Sequence, residues 1–145
     1  MIADQSLKVS PGFPVDGVDA AGAPIGYQLL RTLVRLIESR SPGLAGHGDR
    51  TAQYAVKLGH AVGLGPCELT DLYFASLLHD VGLLALPSEL LKKDGPFSHD
   101  EYALVQSHPR LGVELLEPIP WLRQASLWIA HHHERWDGCG YPYGL

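Results

Sequence analysis

The spacing of apolar residues is the tightest constraint on what this chain can fold into. From Ile25 onward, Leu29, Leu30, Leu33, Val34, Leu36 and Ile37 recur at three- and four-residue steps, with Arg31, Arg35 and Glu38 between them. That period belongs to an amphipathic helix facing a core. Ser41-Pro42-Gly43 ends it. A second helix is expected from His47 to about Val62, with Tyr54, Ala55, Leu58, Ala61 and Val62 inward, and Gly63 and Gly65 break it. Pro66 suits the first position of a third helix. That helix carries Leu69, Leu72, Tyr73, Leu77 and Leu78 and ends in His79-Asp80. A short helix is predicted over 88–92. Ser98 followed by Glu101 reads as a capping box. It starts a fourth helix that runs to Glu117 with a bend at Pro109. Residues 121–133 read as a fifth helix and 136–145 as a Gly- and Pro-rich loop. No segment alternates as a strand does, so the expected class is all-α, a bundle of about five main helices.

A length of 145 residues suits one domain. Residues 1–24 are rich in Gly, Pro and Ala and lack an apolar period, so they read as a flexible leader to a domain over 25–145. Hydrophobic residues make up 46% and charged residues 19%, which supports a core and excludes wholesale disorder. Sixteen acidic residues against 11 basic ones give a net charge of −5, which argues against a general nucleic-acid binder. No apolar run approaches the roughly 18 residues of a membrane span. The N-terminus lacks the pattern of a secretory signal. Cys67 and Cys139 form neither a CxxC pair nor a disulfide framework, so a reducing cytoplasm is the expected compartment.

Eight histidines stand in this small acidic chain, three of them consecutive: His47, His60, His79, His99, His108, His131, His132 and His133. Imidazoles at this density suggest metal binding. His79-Asp80 pairs a nitrogen ligand with a hard oxygen that can bridge two cations. Taken alone, the dipeptide also fits a histidine capping a helix end followed by a turn-forming aspartate. The other positions favour a site. His47 opens helix two, His79 closes helix three, His108 lies within helix four, and His132 and His133 close helix five. Four helices can therefore converge on one pocket, as in bundles with dinuclear sites. His60 and His99 are assigned to the surface. His131 reads as a packing residue or one supporting the ligands from behind.

The order and spacing of these residues resemble a known family. His47-x2-Arg50, then Leu77-Leu78-His79-Asp80-Val81-Gly82, then His108-Pro109, then His132-His133-Glu134-Arg135-Trp136-Asp137-Gly138-Cys139-Gly140-Tyr141-Pro142 is similar to the HD-GYP family, bacterial signalling relatives of HD-domain phosphohydrolases. The likeness covers residues 25–145. It implies an HD-domain-like helical bundle around a site of two or three metal ions, usually iron or manganese. It also implies phosphodiesterase hydrolysis of cyclic di-GMP to its linear form or to GMP. By position, His47, His79 and Asp80 would hold one metal. Asp80 would bridge to a second held by His108, His132 and His133. His79 and Asp80 would be the catalytic pair, and the Gly140, Tyr141 and Pro142 loop would shape the substrate side. Two close divalent cations make hydroxide available near neutral pH and stabilise phosphoryl oxygens, which also lets an acidic protein bind an anion. A GGDEF-type protein is an expected partner for this family.

Three departures from the family pattern bear on activity. Leu83 stands where the family usually has a lysine that contacts phosphate. Gly43 stands four residues before His47, where trinuclear members have a glutamate, so two divalent ions are expected. The chain given ends at Leu145, just beyond the Gly-Tyr-Pro loop, before the aspartate that completes the first metal site in the family. The expectation is that the second site is better formed than the first and fills first. Apolar bundle surface left uncovered would favour a homodimer. The alternative expectation is a catalytically degenerate module that binds metal, nucleotide or a signalling partner.

Overall fold

The third helical segment is rich in apolar residues and buries Leu69, Phe74, Ala75, Leu77 and Leu78, which suits an interior position. In a computed structural model of the chain, which describes residues 25–40 and 43–145, this helix is the centre of the fold. Helix α1 spans Ile25–Arg40, α2 His47–Ala61 and α3 Pro66–Leu78. A 3-10 segment at Val81–Ala85 leads to the one-turn α4 at Ser88–Leu91. Helices α5 (His99–Val105) and α6 (His108–Leu116) follow, then a 3-10 turn at Pro120–Leu122 and α7 at Arg123–Ala130. No strand occurs among the described residues, and the fold is all-α. The expected leader at 1–24 and the helix break at Ser41 and Pro42 lie outside the described residues.

Helix α3 packs against α1, α2 and α7. Its Phe74, Ala75, Leu77 and Leu78 join Leu30, Val34 and Ile37 of α1 and Ala125 and Ile129 of α7 in one core. Pro66 is the first residue of α3, and the Glu68 carboxylate accepts the Gly65 N–H at 2.8 Å. Because α3 runs through the interior, the residues at its C-terminal end, His79 and Asp80, emerge within the bundle rather than at its edge.

The expected inward faces need correction. On α1 the buried stripe is Leu30, Val34 and Ile37, while Leu29 and Leu36 are exposed. On α2 the expected face is reversed: Tyr54, Leu58 and Val62 are 69%, 65% and 68% exposed, and the buried residues are Gly48, Ala52 and Gly59. Close approach is the reason. A Cβ at Gly59 would lie 2.8 Å from Leu69 Cδ2 and 2.9 Å from Leu72 Cδ2, and one at Gly48 would lie 3.0 Å from the Leu77 carbonyl oxygen. Hydrophobic period alone does not reveal a face that packs through lack of side chain.

The start of α2 is capped from another helix. Gly46 adopts φ 65°, a left-handed conformation that favours glycine. The Glu38 carboxylate of α1 accepts the N–H groups of Gly46 at 2.9 Å and Gly48 at 3.2 Å. These are donors that a helix start leaves unpaired. Arg40, in the same last turn of α1, ties that end down, donating to the carbonyls of Leu84 (2.6 Å) and Leu86 (2.8 Å) and to Ser88 Oγ (2.8 Å).

The expected fourth helix is two helices. The Ser98 capping box forms as expected, with Ser98 Oγ accepting the Glu101 N–H at 3.2 Å and Glu101 Oε2 accepting the Ser98 N–H at 2.6 Å. The break falls at Gln106 and Ser107, because Pro109 lacks the N–H that would continue the helix through this point. The expected fifth helix is also shorter. It starts at Arg123 after a 3-10 turn and ends at Ala130, so His132 and His133 stand in turns beyond it.

Gly82 makes the closest crossing. A Cβ there would fall 1.9 Å from the His108 carbonyl oxygen and 2.7 Å from the Gly112 nitrogen, so the 3-10 segment lies backbone to backbone on α6. Gly82→Ala must push α6 away and should cost about 3 kcal/mol or more. Gly43→Ala, where an added Cβ meets nothing within 4 Å, should stay within about 0.5 kcal/mol of wild type. Urea midpoints of the two variants test this, and equal midpoints would refute the crossing as a packing constraint.

Candidate metal centre

Four separate backbone stops deliver the site. His47 is the first residue of α2, and His79 caps the end of α3 with Asp80 next to it. His108 is the first residue of α6, and His132 and His133 follow α7. The residues form two groups whose potential ligand atoms lie within 4.8 Å of one another: His47, His79 and Asp80, and His108, His132 and His133. Asp80, in the first group, also reaches His108 of the second. Its Oδ2 lies 3.2 Å from His79 Nε2 and 3.9 Å from His47 Nε2. Its Oδ1 lies 3.5 Å from His108 Nε2. One carboxylate thus presents an oxygen to each imidazole group.

Three rings are oriented by the same local device. The Nδ1–H of His79 donates to the Ser76 carbonyl at 2.8 Å. That of His108 donates to Val105 at 2.7 Å, and that of His132 to Ile129 at 2.7 Å. Each acceptor lies three residues earlier, where a helix or turn leaves its last carbonyls unpaired. A proton fixed on Nδ1 leaves the Nε2 lone pair of a neutral ring facing inward, the arrangement typical of metal-ligating histidines. The inward atoms then face one another, with His47 and His79 Nε2 3.1 Å apart and His108 and His132 Nε2 3.2 Å apart. Lone pairs at that separation need a proton or a cation between them. The donor set of imidazole nitrogens with one shared carboxylate fits divalent transition metals.

Charge and burial act in opposite directions across the site. Burial disfavours the charged form of His79, but its hydrogen bond to Asp80 and that carboxylate's charge outweigh this and raise its pKa. Burial likewise pushes the Asp80 carboxyl up, and His79, His108 and His132 together bring it below its ordinary range. His108 and His133 are lowered, in both cases mainly by burial. Burial is also the main cause at His132, which falls to about 4. The second group is therefore held neutral, the state in which an imidazole ligates.

The remaining sequence expectations sort by position. His60 and His99 are exposed, as expected. His131 is not a packing residue: it is exposed, its ring edge-on to Tyr143 with centroids 5.2 Å apart. Leu83 is 9% exposed and packs in the hydrophobic core, so this position supplies no cation to the site. Gly140 and Tyr141 fold over His133, and the Tyr141 ring stacks on the His133 ring at 4.5 Å and 18°. Pro142 is exposed beside them. Cys67 and Cys139 are exposed free thiols. Two carboxylates escaped the sequence reading, Glu38 behind His47 and Glu134 beneath the C-terminal loop. Glu134 could have been found from its place directly after the paired histidines. Glu38 could not, because nothing local links it to α2.

An HD domain family profile matches residues 31–145. Over 120 residues the chain is 38% identical to 3'3'-cGAMP-specific phosphodiesterase 2 of Vibrio cholerae, covering 81% of this chain and 23% of that protein. It is 36% identical over 120 residues to the cyclic di-GMP phosphodiesterase response regulator RpfG of Xanthomonas campestris, covering 81% and 32%. It is 31% identical over 121 residues to a cyclic di-GMP phosphodiesterase of Thermotoga maritima, covering 82% and 33%. The chain belongs to the HD domain family, in its HD-GYP branch. It spans about a quarter to a third of the length of these curated relatives. No helix among the described residues is long and apolar enough to cross a membrane.

The histidine shifts set an acid limb for the metal-free chain. Unfolding returns His132 from about 4 to its ordinary 6.5, so between these values the unfolded state binds more protons. Stability therefore falls as pH drops through that window, and His108 and His133 act in the same sense. His79 opposes them, since its raised pKa adds stability at low pH that is lost as pH rises through the folded value. The urea midpoint of metal-free protein should fall from pH 7 to pH 4, and fall less in His132→Gln. Parallel profiles for the two proteins would remove His132 as a source of the acid limb.

Proposed function

We propose that this chain is the metal-dependent hydrolytic domain of a cyclic di-GMP phosphodiesterase. The observation that carries the reading is Asp80, one carboxylate oxygen directed at each of two imidazole groups. In this reading two divalent ions, iron or manganese, are held by His47, His79 and Asp80 and by His108, His132 and His133 with Asp80 shared. Bound there, they supply charge for the phosphoryl oxygens and activation of water. The second group fills first, because with Asp80 it offers four ligands against three.

The chain's own residues supply orientation and charge. Carbonyls of Ser76, Val105 and Ile129 hold three rings with Nε2 inward. Asp80 stays ionised at neutral pH, its pKa brought down by the surrounding histidines against the effect of burial. The loop at Gly140, Tyr141 and Pro142 borders the second group and forms the substrate side of the site.

Curated relatives are named for cyclic di-GMP or for 3'3'-cGAMP, so a cyclic dinucleotide is the proposed substrate class. A GGDEF-type protein or a second copy of this chain is the proposed partner, nucleic acid and membrane are not, and the cytoplasm is the proposed compartment. The second reading, a module that binds without turnover, is favoured by Leu83, whose burial leaves its position without the phosphate-contacting lysine of the family.

Elemental mass spectrometry on protein purified without chelator and oxygen, followed by a cyclic dinucleotide panel, separates the two readings. About two ions per chain with turnover of cyclic di-GMP is the expected result. Asp80→Asn should lower turnover by more than about 100-fold, the upper end for loss of a group that merely supports a metal ligand. Two ions with nucleotide bound and not hydrolysed would establish the binding module. Absence of metal would sink the first reading and put the module that binds without turnover in its place.

A further inference from the structure

His133 differs from its neighbours in how its ring is held. His79, His108 and His132 are each tethered by a hydrogen bond from Nδ1 to a backbone carbonyl three residues back. Among the described residues His133 makes no such bond, and its ring is placed by aromatic packing alone. It lies edge-on to His108 with centroids 5.1 Å apart and tilted against His132 at 4.2 Å. On its remaining face it is stacked on Tyr141 at 4.5 Å and 18°.

Tyr141 is itself fixed. Its N–H donates to the His133 carbonyl at 3.2 Å, closing the loop onto the residue that its ring covers. Gly140 allows the approach, since a Cβ there would lie 2.4 Å from the Arg135 nitrogen and 2.6 Å from the His133 carbonyl oxygen. Beyond Pro142 the chain is gripped by Glu134. Its Oε1 accepts the Tyr143 N–H at 2.7 Å, and its Oε2 accepts the Leu145 N–H at 2.9 Å. The turn before the loop is pinned by Asp137, which accepts the Cys139 N–H at 3.0 Å and pairs with Arg135 at 2.9 and 2.5 Å.

We infer that Tyr141 and Glu134 are positioning residues for the second metal group. Glu134 latches the C-terminal loop, and the latched loop lays the Tyr141 ring on His133 in place of the missing carbonyl tether. This gives the Gly-Tyr-Pro loop a task on the metal side of the pocket as well as on the substrate side. The inference rests on the reading of His108, His132 and His133 as metal ligands. The stack requires an aromatic face and not the phenolic hydroxyl.

The test uses the full chain in two backgrounds. His47→Ala leaves the second group intact, and His132→Ala leaves the first. Manganese affinity is measured by titration, and cobalt absorption reports the ligand field. In the His47→Ala background, Tyr141→Leu should weaken binding about 10- to 100-fold, the range for loss of a ligand's support. Tyr141→Phe should bind as its parent does, and Glu134→Gln should weaken binding less than Tyr141→Leu. In the His132→Ala background, Tyr141→Leu should leave affinity and spectrum unchanged. Unchanged binding by Tyr141→Leu in the first background overturns the inference while leaving the metal reading intact. Equal weakening in both backgrounds, or loss of helical circular dichroism, overturns it in favour of a general structural role. No metal bound by wild type overturns the metal reading and this inference with it.

Discussion

An ionised carboxylate set between two groups of imidazoles organises this molecule. Desolvation alone would push Asp80 toward its neutral form, and only the surrounding histidines reverse that. A buried charge is tolerable when it is paired and hydrogen-bonded. Asp80 meets the condition by offering one oxygen to His79 and the other to His108, residues from different helices. The helices that carry these histidines therefore have to converge on Asp80, and much of the fold serves that end.

Absent side chains provide much of the necessary proximity. Gly82 and Gly112 let the segment after Asp80 lie against α6, which fixes His108 relative to the carboxylate. Gly48 and Gly59 let α2 close on α3, which brings His47 to His79. The Glu38 carboxylate then satisfies the N–H groups at the start of α2 from across the interface. Local geometry finishes the site. A histidine just past a helical turn can reach the carbonyl three residues back, and His79, His108 and His132 all do so.

Much of this was legible in the residues, and the failures share a cause. The bounds of α1, α2 and α3 follow from glycine, proline and the apolar period, which are local signals. The capping box at Ser98 is equally local. The six metal-ligand candidates were readable because their order and spacing match a family pattern, and the structure brings all six together. The inward face of α2 was misread because apolar residues were equated with burial. On that helix small residues are buried for contact distance, and Tyr54, Leu58 and Val62 are left outside. The fourth and fifth helices were drawn too long because an apolar period can continue through a turn where the hydrogen-bond ladder does not.

By itself the sequence determined the all-α class, the starts of α1, α2, α3 and α5, and which six residues a family pattern marks as candidate ligands. Those depend on residue type and on neighbours within a turn or two. Only the tertiary structure decided which oxygen of Asp80 faces which imidazole group, that Glu38 caps a helix it is not part of, and that Tyr141 lies flat on His133. Glu38 and Asp80 depend on contacts between different helices. Tyr141 lies only eight residues after His133, but it stacks there in a loop whose end folds back onto the Glu134 carboxylate. Each of these contacts exists only once packing has fixed the distances, and no local rule of spacing or propensity encodes them.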